Sequence, residues 1–270
     1  MSADLVPRLP AHAEETIGSF VRSHSLYHGN EGVVLGLSGG IDSALVARIA
    51  RDAVGAPKVL AVLMPDEGLD PDLVRETERF AASLGIASRT VPIAPIEGAF
   101  RASLPEVADR VTVGNTKSRI RMSILYALAR ERRRVVVGTG NKSELLLGYF
   151  TKFGDGAVDL LPIGDLYKTQ VREIAERLGL PAQIRDRAPS AGFWEGQTDE
   201  EELGVPYAEI DRVLYGHELG LSEEEIARRA GVGPEIVRGL IARVLQHRHK
   251  RRSPPVAKVG ARTIGIDWKD

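Results

Sequence analysis

The sequence predicts an α/β protein, a parallel sheet with helices on both faces and a helical C-terminal part, from three observations. Short apolar runs rich in β-branched residues, bounded by glycine, read as buried strands at 33–37, 59–64 and 135–137, with a weaker run at 88–93. Between them, apolar residues recur at helical spacing, notably over 71–84 and 115–133. Strands that alternate with helices form a parallel sheet covered on both sides.

The elements follow in order. The opening "MSADLVPRLPAHAEETIGSF" carries acids early and has no apolar signal core. The first strand runs into Gly39-Gly40. After these, Leu45, Val46, Ile49, Ala50 and Ala53 share one helix face, with Arg48, Arg51 and Asp52 opposite. The basic run at 130–134 closes a helix, where cations complement the negative dipole end. Residues 185–204, rich in glycine and acids and without a clear period, read as a long loop of the kind that forms lids. Helical patterns then fill 207–216, 221–230 and 234–245, with a Ser222/Glu225 capping box. No repeat or flexible linker divides the chain, which reads as one domain over 1–270.

Composition narrows the function classes. With 43% hydrophobic and 27% charged residues in 270, the chain is of the soluble globular type. No apolar stretch approaches the roughly 20 residues of a membrane helix, so no membrane partner and a cytoplasmic location are expected. Lys plus Arg is 36 against 37 Asp plus Glu, a formal charge of -1, which gives no global electrostatic case for nucleic acid. Cysteine is absent, which excludes disulfides, thiolate metal sites and a cysteine nucleophile from this chain.

The most informative stretch is Ser38-Gly39-Gly40-Ile41-Asp42-Ser43. The first turn of a helix leaves backbone N–H groups unpartnered, with the positive dipole end behind them, so the turn before it suits an anion. Glycines let a phosphate approach the backbone, and Ser38 and Ser43 add hydroxyl donors. Asp42 would repel a phosphate unless a Mg²⁺ ion were shared between them. The stretch is neither G-x-x-x-x-G-K-[ST] nor G-x-G-x-x-G.

"SGGIDS" resembles the pyrophosphate-binding loop of the ATP pyrophosphatase superfamily, whose members adenylate a substrate. Longer segments narrow the likeness: "NTKSRIRMSILYALA", "GTGNKSELLLGYFTKFGDGAVDLLPIGDLYKT", "PSAGFWEGQTDEEELGVPYAEID" and "HKRRSPP" resemble the ammonia-dependent NAD synthetases, with matching motifs from Gly36 to Pro255. That resemblance implies a Rossmann-like sheet, a homodimer, and small-molecule substrates: ATP, ammonia and nicotinate adenine dinucleotide (deamido-NAD). It implies that Gly36, Leu37, Ser38, Gly39, Gly40, Ile41, Asp42 and Ser43, with Thr139, Lys168 and Ser190, contact ATP. Asp42 and Glu144 would be Mg²⁺ ligands. Arg119, Lys152, Asp159, His249 and Lys250 would contact deamido-NAD, and Asp155 would serve the ammonia site. The catalytic set would be Asp42, Glu144, Asp155 and Lys168.

Each residue has a plainer reading when taken singly. Lone lysines such as Lys152 and Lys168 are mostly solvated, Arg119 lies off the apolar face of its helix, Asp159 could cap a turn, and His249-Lys250 could be a basic helix end. Trp194 either stacks on a ligand ring or anchors its own loop. Phe193 stands where the family pattern leads one to expect leucine. The implied chemistry is attack of the nicotinate carboxylate on the α-phosphate of ATP, departure of pyrophosphate, and displacement of AMP by ammonia to give NAD⁺. A tRNA-modifying enzyme with the same loop and a non-catalytic nucleotide sensor are the alternatives. With no cysteine and about thirty residues before the loop, no glutaminase module is expected, so ammonia is used directly.

Overall fold

The computed structural model describes residues 5–26, 29–190, 192–194, 196–264 and 267. The order of elements is α1 (Ala13–Ser25), β1 (Gly32–Gly36), α2 (Ile41–Val54), β2 (Val59–Leu63), α3 (Pro71–Ser83), β3 (Ala87–Thr90), α4 (Ala94–Ser103), α5 (Arg110–Glu131) and β4 (Arg134–Val137). Then follow α6 (Lys142–Leu147), α7 (Lys168–Arg177), α8 (Ala182–Arg185), α9 (Asp199–Leu203), α10 (Tyr207–Glu218), α11 (Glu223–Ala230) and α12 (Pro234–Gln246). Trp268 lies outside the described residues.

All four strands are parallel in the order β3-β2-β1-β4, with Val33 opposite both Val59 and Val135. Successive side chains in a strand point to opposite faces. Val33, Leu35, Ala61, Leu63 and Val137 accordingly pack with α1, α2 and α7, while Val34, Leu60, Val62 and Val136 pack with Met122, Leu125 and Ala129 of α5. Both faces are buried, which is why β1 and β2 carry no alternating polar residues. The first crossover leaves β1 toward β2 and the chain returns on the other side at β4. The strand order therefore reverses at β1, where parallel sheets open a crevice at the carboxyl ends of their strands.

A third apolar cluster lies outside the sheet and joins α6, α10, α11 and α12 through Leu147, Tyr207, Ile210, Leu214, Ile226 and Val237. It is the helical C-terminal part. Some expectations shift. The weak strand is shorter than 88–93: β3 is an edge strand with four exposed residues, and Val91 and Ile93 continue only as single backbone bonds to Leu63 and Pro65 carbonyls. The helix expected from 115 starts at Arg110, where the Asp109 carboxylate accepts from the Thr112 N–H at 2.8 Å. Residues 185–204 are not all loop, since α9 starts behind the Thr198 cap. Helices α1, α4 and α7 were not anticipated, although Ile17 and Val21 in α1, and Val171, Ile174 and Ala175 in α7, have the spacing of a buried face.

The outer edge of β4 is covered by the next segment. Leu160 bridges Val137 in parallel, the Val136 N–H donates to Asp159 Oδ2 at 2.7 Å, and the Tyr126 hydroxyl donates to Asp159 Oδ1 at 2.9 Å. Both carboxylate oxygens of Asp159 thus hold β4 to α5. Asp159→Ala is expected to lower unfolding stability by about 1–3 kcal/mol, because the Val136 N–H loses its charged acceptor. Urea denaturation checks this, and a midpoint equal to that of the parent protein would contradict it.

Candidate active site

A cavity of about 700 Å³ opens at the carboxyl ends of the strands. Three segments converge on it: the 38–43 turn after β1, Pro65 and Asp66 after β2, and Gly138, Thr139 and Glu144 after β4. Ser190 and Trp194 of the long connection cover it.

The turn after β1 is tied by its own serines. The Ser38 N–H donates to Ser43 Oγ (3.2 Å), the Ser43 hydroxyl donates to the Gly40 carbonyl (2.9 Å), and the Gly40 N–H donates to Ser38 Oγ (3.3 Å). Gly39 has φ +84°, and a Cβ there would meet Thr77 Oγ1 at 2.6 Å and Leu73 Cδ1 at 2.8 Å, so only glycine fits. Gly40 caps α2 without a side-chain bond, which leaves the N–H groups of the first turn for a ligand. The Arg187 guanidinium donates to the Gly39 carbonyl and to Glu76 (2.8 Å), locking the turn to α3 and to the long connection.

Beside this turn the charges are concentrated. Lys168, only 1% exposed, places its Nζ 2.5 Å from Asp42 Oδ2 and 3.3 Å from Glu144 Oε1. Asn141 donates from Nδ2 to Asp42 Oδ1 (3.0 Å), and its N–H donates to Glu144 Oε2 (3.2 Å) in a capping box that starts α6. Burial alone would lower the Lys168 pKa. The Asp42 and Glu144 carboxylates outweigh it, so the lysine is held as a cation above its ordinary range. Burial pushes Glu144 up to about 8, with Lys168 opposing and Asp42 and Asp199 reinforcing. Asp199, at the start of α9, is likewise raised by burial. Its Oδ2 accepts from the Tyr207 hydroxyl at 3.1 Å, and its Oδ1 is buried without a partner.

Two acids thus contact the Lys168 ammonium and a third, Asp199, lies within its electrostatic reach; a bound cation would favour the ionised forms of Glu144 and Asp199 that burial disfavours. The oxygen donors of Asp42 and Glu144 fit Mg²⁺, which commonly takes one or two carboxylates and completes its shell with waters and substrate phosphates. Among the described residues no group of three or more acids or histidines is placed to hold a metal ion by itself.

The remaining sequence candidates divide into two sets. Thr139, Ser190, Asp155 and Lys250 line the cavity. Asp155 Oδ1 accepts from the Ser118 hydroxyl (2.7 Å) and the Thr151 N–H (2.9 Å). Lys250 Nζ donates to the Gly148 and Phe150 carbonyls at 2.6 and 2.8 Å. Arg119, Lys152, Asp159 and His249 are not among the lining residues: Arg119 is exposed and donates to the Lys152 carbonyl (3.3 Å), and His249 is exposed in the 3-10 turn His247–Arg251. The basic run at 247–252 caps the end of α6, with Arg251 donating to the Leu145 and Leu146 carbonyls. Trp194 anchors its own loop, its ring 4.4 Å from the Arg110 guanidinium, while also facing the cavity. Phe193 packs into a notch on α5 that exists because residue 114 is glycine. Sequence reasoning missed Arg187, Asp199 and Tyr207. Their only local signal is the Thr198 cap, which marks a helix start and says nothing of which way Asp199 points.

The model of the NAD synthase family matches residues 14–254. The NH(3)-dependent NAD(+) synthetase of Methanosarcina acetivorans is 47% identical over 250 residues, 92% of this chain and 98% of that protein. Among solved structures, the NMN synthetase of Francisella tularensis superposes with a TM-score of 0.82 at 35% identity, covering 93% of this chain and 99% of that one. The NH3-dependent NAD synthetase of Campylobacter jejuni, in complex with the nitrate ion, superposes at 0.78 with 32% identity, covering 91% and 97%.

The raised Glu144 pKa has a consequence for stability. The unfolded chain releases the Glu144 proton near 4.5, whereas the folded chain keeps it to about 8. Between those values the folded state binds more protons, so its stability falls as pH rises. In chelator-treated protein the melting temperature is expected to drop between about pH 5 and 8, and Glu144→Gln to flatten that drop. An unchanged slope in the variant would refute the assignment.

Proposed function

We propose, from the premise that this chain belongs to the NAD synthase family, that it adenylates deamido-NAD with ATP and amidates it with ammonia, giving NAD⁺, AMP and pyrophosphate. The observation that carries this reading is Lys168 seated between Asp42 and Glu144 at the open N-terminus of α2, beside a glycine turn. Negative charge grows on the departing pyrophosphate. The first-turn N–H groups of α2 would stabilise that charge, with the Lys168 ammonium close beside them. Mg²⁺, held by Asp42 and Glu144, would supply further neutralisation of the phosphate oxygens.

In the first half-reaction a nicotinate carboxylate oxygen bonds to the α-phosphorus and the bond to the β-phosphate bridging oxygen breaks. In the second, ammonia bonds to the acyl carbon and AMP leaves with its oxygen. Asp155 is our candidate to take the proton of the incoming ammonium, since Ser118 and Thr151 fix its carboxylate at the cavity wall. The connection that carries Phe193, Trp194 and Asp199 covers the cavity and would keep water from the acyl-adenylate. Arg119, Lys152 and His249 lie outside the cavity wall, and Tyr126 of α5, also off that wall, is 38% exposed. Both facts support a homodimer in which a second copy helps to enclose the dinucleotide.

Purified protein with ATP, Mg²⁺, ammonium and deamido-NAD is expected to form NAD⁺ and AMP in equal amounts. ADP as the nucleotide product would overturn the adenylation reading. Nicotinate mononucleotide, offered in parallel, tests whether the likeness to an NMN synthetase extends to the acceptor. Ammonia-free glutamine is expected to give no product, because the chain has no cysteine to form a glutamyl thioester. Asp42→Asn is expected to lower kcat by at least about 100-fold, with dinucleotide affinity changed far less. Near-parental turnover at limiting Mg²⁺ would count against the role of Asp42.

A further inference from the structure

Asp211 is fully buried at 0% exposure on α10, in the helical C-terminal part, and takes no direct part in the chemistry proposed above. A buried carboxylate is costly unless its oxygens are well met. Those of Asp211 are met by the machinery of the site. The Ser143 hydroxyl donates to Oδ1 at 2.5 Å, and the Thr169 N–H donates to Oδ2 at 2.8 Å. The same Ser143 oxygen accepts from the Lys168 N–H at 2.9 Å. The first two N–H groups of α7, those of Lys168 and Thr169, are therefore capped from two other helices, by Ser143 of α6 and Asp211 of α10. No ion pair holds Asp211 among the described residues. Its charge faces the positive end of α7 instead. Burial still raises its pKa.

We infer that Asp211 is a positioning residue for the adenylation site: through Ser143 and the α7 N-terminus it fixes Lys168 relative to Asp42 and Glu144. Lys168 is the first residue of α7, and Ser143 precedes Glu144 in α6, so one carboxylate sets the backbone origin of both partners in the 3.3 Å Lys168–Glu144 contact. A shift of about 1 Å at such a point is enough to cost on the order of 100-fold in rate. The cap also joins the C-terminal helical cluster to the phosphate site, which the sheet alone does not do. This inference deepens the reading of the site as an adenylating one and rests on it.

The test compares Asp211→Asn, Lys168→Met and the double variant with the parent, by kcat, by KM for deamido-NAD and by calorimetric titration with ATP and Mg²⁺. Asp211→Asn keeps the size but replaces one acceptor oxygen with a donor. It is expected to lower kcat by roughly 10- to 100-fold and to weaken ATP, with KM for deamido-NAD within about threefold. In the Lys168→Met background it is expected to cost nothing further, because positioning acts through that lysine. Should Asp211→Asn fail to fold, Ser143→Ala, which deletes one bond of the same cap, is measured in its place with the same expectations. Parental kcat and ATP affinity in the folded variant would overturn the inference, as would an equal loss in both backgrounds. A parent protein that binds ATP but makes no NAD⁺ would defeat the function reading, and the ATP titration would still decide the role of Asp211.

Discussion

The structure depends on holding one ammonium group, that of Lys168, in a nearly dry place between two carboxylates. Removing a lysine from water is costly, and a single opposing charge seldom offsets it. Here Asp42 and Glu144 both approach Nζ, and Asn141 orients the two acids. The four members come from three segments: Asp42 from the first turn of α2, Asn141 and Glu144 from the start of α6, and Lys168 from the start of α7. Three helix N-termini thus meet at one point, which concentrates their positive dipole ends there.

Such a convergence needs support from outside the sheet, and the C-terminal helices supply it. Arg243, Lys250 and Arg251 donate to the last carbonyls of α6 and to those just beyond it, which steadies the helix that carries Glu144. Asp211 does the corresponding work at the start of α7. The basic run near the end of the chain, read alone, looks like solvated surface charge. In the fold it is the C-terminal cap of a six-residue helix too short to be stable by itself.

The long connection before α9 adds a second constraint. Arg187 grips the carbonyl of Gly39, Phe193 fills the notch at Gly114, and Trp194 packs under Arg110. The cover over the cavity is consequently tied both to the glycine turn after β1 and to α5. Asp199, carried on the same segment, brings a third carboxylate and an unpartnered oxygen close to Lys168.

Much of this was legible in the sequence because it is local. Continuous β-branched runs can only be buried strands, a strand followed by Ser-Gly-Gly and an amphipathic helix places bare N–H groups at one spot, and zero cysteines exclude thiol chemistry whatever the fold. The long quoted motifs carried the family. What the sequence left open is set by distances between segments far apart in the chain. Lys168 and Asp42 are 126 residues apart, and Ser143 and Asp211 are 68 apart, so no periodicity links them. Nothing local signals that both oxygens of Asp159 bond to β4 and α5. The sequence also does not show that Trp194 packs against Arg110 while facing the cavity. Sequence alone determined which backbone groups would be left unpaired and which side chains had to be buried. Only the tertiary structure decided which partners satisfy them, since a buried charge is met by whatever the folded chain brings within a few ångströms.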